Sequence, residues 1–202
     1  MLIYVITDRR LRPHLPLLPL VEQVAGSGAD MIQIREKDLD AAKLLDCARH
    51  AVEIAGRAGP EVFVNSRPDV ALSAGAAGVH LPAAGLPASS VTGRWGGRLK
   101  VGVSTHSLRE AADAAAAGAD FITCGPVFDT PSKRAWGSPV GTGTLREVVA
   151  SAGVPVFAIG GVNAGTIARL EGIPVAGVAV ISAVLESPDM AEAVARLRRE
   201  AA

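Results

Sequence analysis

Aromatic side chains are scarce in this sequence: four phenylalanines, two tryptophans and one tyrosine among 202 residues. The core must therefore pack mainly through Ala, Val, Ile and Gly, which suits buried strands covered by helices that meet at small residues. Net charge is absent too, since 20 Lys and Arg balance 20 Asp and Glu. No global field then recruits nucleic acid or an acidic membrane, and any cationic role has to be local. Only two cysteines occur. Cys47 and Cys124 lie far apart and form no metal-type spacing with the four histidines, which argues against a disulfide or zinc framework and for reduced thiols. Nor is there a long apolar run at the start. Charges interrupt MLIYVITDRR early, so the segment reads as neither a signal peptide nor a membrane span, and the cytoplasm is the expected location. One further lack is local: residues 62–86, which include NSRPDVALSAGAAGVHLP, hold a single acid, Asp69, placed past a proline where a helix should begin.

What is present is a repeat. LIYVITD (2–8), MIQIREK (31–37), EVFVNSR (61–67), GVHLP (78–82), KVGVSTH (100–106), DFITCGP (120–126), PVFAIGG (155–161) and GVAVISA (177–183) read as strands. Each precedes a stretch of helical composition, such as AAKLLDCARHAVEIAGRAG or DMAEAVARLRREAA. SGADMI, AGAAGV and AGADFI repeat a Gly-Ala-(Asp) approach to a strand, the glycine acting as a helix C-cap. Alternating units of this kind build a parallel sheet, either open or closed. Eight units without GxGxxG after the first strand favour a closed (β/α)₈ TIM barrel, with residues 1–202 as one domain. Chemistry in such a barrel sits at the C-terminal ends of the strands.

Two parts of that rim suit anions. AIGGVNAGTI and AVISAVL end strands 7 and 8, where Gly160 and Gly161 allow close backbone approach and Ile181 and Ser182 lie opposite, a common place for phosphate. In MIQIREK the residues Gln33, Arg35 and Lys37 share parity and face one way if strand pairing persists. An arginine on an apolar strand calls for an anion or a carboxylate. The long loop GPVFDTPSKRAWGSPVG adds Thr130, Ser132 and Lys133 and reads as a functional lid.

The ordered set ITD, QIREK, VN, GVHLP, GVSTHS, GPVFDTPSK, AIGGV and AVISA resembles the thiamine phosphate synthase/TenI family across residues 6–183. The resemblance implies a (β/α)₈ barrel acting on thiazole phosphate; Asn65 and Ser104, at the C-terminal ends of strands 3 and 5, are expected among the binding residues. For the synthase branch it implies capture of an ionised pyrimidine diphosphate by the thiazole nitrogen, with Mg²⁺ held by acids after strands 3 and 4. Here those places read Asn65-Ser66 and His80-Leu81-Pro82-Ala83-Ala84-Gly85, so both carboxylates are missing. Mg²⁺ wants hard oxygen ligands, usually including carboxylates. The expectation is accordingly a TenI-like thiazole tautomerase without metal or other cofactor; Mg²⁺ enters only on the synthase reading. The alternatives are a thiamine phosphate synthase, and a non-catalytic binder of phosphate ligands. The tautomerase histidine expected after the strand-6 glycine is Pro126, which leaves His106 and His80 as candidate proton carriers. Expected partners are thiazole phosphate, pyrimidine diphosphate and a second copy of the chain, but neither nucleic acid nor membrane.

Overall fold

The computed structural model describes residues 1–130, 134 and 137–201. Its strands are β1 (Leu2–Ile6), β2 (Met31–Ile34), β3 (Glu61–Asn65), β4 (Gly78–Leu81), β5 (Lys100–Thr105), β6 (Phe121–Cys124), β7 (Val156–Ile159) and β8 (Gly177–Val180). They close in sequence order, all neighbours parallel, with β8 pairing back onto β1 through Leu2↔Gly177 to Val5↔Val180. The α-helices are α1 (Leu17–Ala25), α2 (Ala41–Ala58), α3 (Pro68–Ala74), α4 (Ala88–Trp95), α5 (Leu108–Ala116), α6 (Gly141–Ser151), α7 (Ser182–Leu185) and α8 (Met190–Glu200). No described helix is long and apolar enough to cross a membrane.

The Gly-Ala-(Asp) repeat has a physical cause at its glycine and at its aspartate. Gly28, Gly75 and Gly118 take left-handed φ values of 81°, 70° and 83°, which let the chain leave a helix and turn into a strand. The aspartates then satisfy amides near the starts of neighbouring strands. Asp30 accepts from the Ile3 N–H at 2.7 Å, and Asp120 accepts from the Val101 N–H at 2.7 Å, each on the neighbouring strand. Asp40 and Ser107 cap α2 and α5 by accepting from Lys43 N and Glu110 N.

Few aromatics exist, and most of them fill the barrel. Tyr4, Phe63, Phe121 and Phe157 point inward and meet edge to face, with Phe63–Phe121 centroids 5.2 Å apart and Phe121–Phe157 5.4 Å apart. Neighbouring strands make room. A methyl group at Gly78, Gly102 or Gly177 would overlap the ring of Phe63, Phe121 or Phe157. The second apolar layer, between strands and helices, is aliphatic and includes Cys47 and Cys124, both buried free thiols.

Two expectations need correction. Strand pairing in β2 stops at Ile34, so strand parity does not extend to Arg35 and Lys37 and does not place them on the face of Gln33. Gln33 is buried, Arg35 half-buried and Lys37 exposed. After β7 there is no α-helix: Asn163 and Thr166 bond to local backbone and hold a tight turn that leads only into the 3₁₀ segment Ile167–Leu170.

Candidate functional site

The β5–β8 half of the barrel's C-terminal end opens into a cavity of about 400 Å³. Ser104 and His106 after β5, Thr130 after β6, Gly160 and Gly161 after β7, and Ile181 and Ser182 after β8 all line it. Gly160 and Gly161 have φ of 91° and 67°. A Cβ at Gly161 would lie 2.7 Å from both Phe128 Cβ and the Asp129 carbonyl oxygen, and one at Gly160 would overlap Pro126. Phe128 N–H donates to the Gly160 carbonyl at 2.9 Å. The pair is therefore required by the close seating of the β6 loop on β7, and that same closeness leaves bare backbone facing the cavity. His106 lies just beyond β5 and is exposed; its Nδ1 is 3.0 Å from Glu110 Oε2, which also accepts from the His106 N–H.

The floor is a buried polar chain above the aromatic rings. Gln33 Nε2 donates to the Tyr4 hydroxyl at 2.9 Å, that hydroxyl lies 3.5 Å from His80 Nδ1, and His80 Nε2 is 2.9 Å from Ser104 Oγ. Burial pushes the His80 imidazole down to about 3, so it is neutral near pH 7. Burial likewise raises the Tyr4 phenol, although the Gln33 bond opposes this. His80 thus links strands as a neutral hydrogen-bonding group.

The β1–β4 half differs. A second cavity of about 370 Å³ is lined by Glu36, Lys37, Asn65, Ser66 and Arg67 among others. Arg9 pairs with Glu36 at 3.1 Å and bidentately with Asp38 at 2.7 Å, Arg10 with Asp8 at 2.6 Å, and Arg67 with Asp69 at 2.6 Å. The Arg10 bonds hold the Asp8 carboxyl below its usual range, against the opposing effect of partial burial. Arg35 is served less well than these three arginines: its Nη1 is 3.7 Å from Asp8, a carboxylate already engaged by Arg10. Burial lowers the Arg35 guanidinium, with Asp8 acting in the opposite sense.

The structure therefore divides the sequence-derived set among a cavity, a floor holding Gln33 and His80, and a charged rim with Arg35, Lys37 and Asn65. Ser132 and Lys133 lie outside the described residues. Sequence reasoning missed Tyr4 and Thr123, which inward parity within β1 and β6 would have flagged. It also missed Asn163, which lines the cavity beside the paired glycines.

The family model described as thiamine monophosphate synthase matches residues 3–184. The chain belongs to this family. A Geobacter sulfurreducens protein named provisionally as a thiamine-phosphate synthase is 44% identical over 190 residues, covering 94% of this chain and 89% of its own. The Moorella thermoacetica thiamine-phosphate synthase is 38% identical over 196 residues, 97% of this chain and 93% of its own. A solved thiamine phosphate pyrophosphorylase from Pyrococcus furiosus superposes with a TM-score of 0.88 at 34% identity, over 99% of this chain and 95% of that one. These findings overturn the tautomerase expectation. The missing acids after β3 and β4 had carried it, yet relatives matching nearly end to end are named for the synthase.

The family implies Mg²⁺, and the donor set at this rim does not fit it. Asn65 and Ser66 end β3, and 82–85 after β4 brings no acid. Asp8, Glu36, Asp38 and Asp69 are each engaged by an arginine, and Asp40 caps α2. Mg²⁺ is usually held by one or two available carboxylates in near-octahedral geometry. Among the described residues no group of three or more His, Cys, Asp or Glu could hold a metal ion.

Proposed function

We propose that this family member is a transferase of thiamine biosynthesis that joins a pyrimidine diphosphate to a thiazole phosphate. The observation that carries the reading is the end-to-end match to chains named for this reaction. The layout of the rim supports it. The β5–β8 cavity, with backbone at Gly160 and Gly161 and the hydroxyl of Ser182, suits a compact phosphate ester. Arg35 and Lys37 suit the more highly charged diphosphate, with Asn65 beside them at the end of β3.

In the proposed reaction the bond between the pyrimidine's exocyclic carbon and the diphosphate oxygen breaks, and its electron pair leaves with the diphosphate. The thiazole nitrogen then supplies the pair that forms the new carbon–nitrogen bond. Such a displacement requires no enzyme nucleophile. This chain's residues would hold both partners in line, and Arg35 would answer the charge that grows on the leaving group. His106 faces the cavity with its ring oriented by Glu110, but the reaction as written requires no proton carrier. No step is routed through a metal.

The test is to incubate purified protein with both substrates and resolve the products by mass spectrometry. Thiamine phosphate formation is expected. Binding of both substrates without any product would instead fit the phosphate-ligand-binding alternative.

A further inference from the structure

Thr123 is fully buried in β6, two residues beyond Phe121 on the same inward parity, and it lines the cavity. Its carbonyl accepts from the Thr105 hydroxyl at 3.0 Å. Its own Oγ1 is buried and has no hydrogen-bond partner among the described residues. A buried hydroxyl without a partner is costly, and native interiors rarely keep one without a reason. Its neighbour across the sheet is Ser104.

Ser104 is directed by the chain beneath it. The Tyr4 hydroxyl accepts from Gln33, so its single proton is directed to His80 Nδ1, 3.5 Å away. A neutral imidazole that accepts at Nδ1 carries its proton on Nε2, which donates to Ser104 Oγ at 2.9 Å. Reversing the chain would strand the Tyr4 proton at a fully buried position. The Ser104 proton is thus left to be donated into the cavity. Side by side on strands about 4.8 Å apart, the floor offers one directed donor and one unmatched hydroxyl able to accept.

We propose that Thr123 is a specificity-determining residue which, paired with Ser104, reads a ring edge bearing a hydrogen-bond acceptor and donor side by side, as an aminopyrimidine presents. Ser104 donates to the ring nitrogen, and Thr123 accepts from the amino group. The assignment rests on the reading that a pyrimidine diphosphate is a ligand of this site. It does not depend on turnover.

The test is calorimetric binding of pyrimidine diphosphate, of its analogue lacking the amino group, and of thiazole phosphate, together with thermal melting of the free protein. Thr123→Val removes the hydroxyl at nearly constant shape. It should leave the melting temperature unchanged or raised, weaken pyrimidine diphosphate about tenfold, equivalent to about 1.4 kcal/mol, and leave thiazole phosphate unaffected. The wild-type preference for the aminated ligand over its analogue should collapse in the variant. Thr123→Ser, which restores a hydroxyl, should recover most of the affinity. Unchanged pyrimidine binding in Thr123→Val, equal weakening of both substrates, or a marked fall in melting temperature would each overturn the assignment. So would the absence of pyrimidine diphosphate binding by the wild type. The expected binding pattern without product formation would reject the transferase reading and leave Thr123 assigned.

Discussion

The two halves of the barrel's open end are built on different principles. Around β1–β4 the loops are dense with charge, yet almost every charge has its counter-charge: Arg9 holds Glu36 and Asp38, Arg10 holds Asp8, and Arg67 holds Asp69. Around β5–β8 the lining is largely glycine, hydroxyl and aliphatic, and the larger cavity lies there. Charged residues alone therefore do not locate binding. What distinguishes a group available to a ligand is that its own fold leaves it incompletely matched, as with Arg35 at 3.7 Å from a shared carboxylate and with the orphaned Thr123 hydroxyl.

The largest effect should come from breaking the half built on backbone. Gly161→Val puts a branched side chain at φ 67° against Phe128 and the Asp129 carbonyl. Stability should fall by roughly 3 kcal/mol or more, through backbone strain and overpacking together. Denaturant unfolding reads this directly. A variant as stable as wild type would mean that the β6 loop is not seated on β7 as described.

A smaller and selective effect should follow at the charged half. Arg35→Met keeps much of the side chain's apolar length but removes the incompletely paired guanidinium. Affinity for pyrimidine diphosphate should fall about 10- to 100-fold, the range for a lost charge-assisted contact of about 1.5–3 kcal/mol. Thiazole phosphate affinity should not change. Equal losses for both ligands by calorimetry would erase the proposed division of labour.

Between the halves, His80 should report on the floor through pH. Its folded value of about 3 lies below the ordinary imidazole value of about 6.5, so the unfolded chain binds the proton first as pH falls. Its contribution is therefore unaffected above about 6.5 and destabilises progressively from there down towards 3, by about 1.4 kcal/mol per pH unit. His80→Gln should flatten that part of the stability profile relative to wild type. Parallel profiles for the two proteins over this window would show that His80 is not held neutral in the fold.

Much of the fold was legible because its signals are local. Apolar runs, Gly-Ala-(Asp) turns and their spacing belong to single stretches of chain, and all eight strands appear in the barrel. The strand ends were read as too long, since a polar residue such as Arg35 can follow Ile34 in sequence without pairing in the sheet. The floor was illegible for a different reason. Gln33, Tyr4, His80 and Ser104 come from four strands, and only closure of the barrel brings them within hydrogen-bonding reach. The absent acids after β3 and β4 were visible at once. Their meaning was misread, because a missing metal site removes one way of neutralising a diphosphate without deciding which reaction the barrel performs.

The measurement that bears most directly on the central claim is thiamine phosphate formation from both substrates, followed by mass spectrometry in excess EDTA and in excess Mg²⁺. With arginine-engaged carboxylates at the β1–β4 rim and the proposed phosphate cavity opposite, product is expected in both buffers at rates within about threefold, a difference below about 1 kcal/mol in barrier. Product that appears only with Mg²⁺, or in neither buffer, would contradict it.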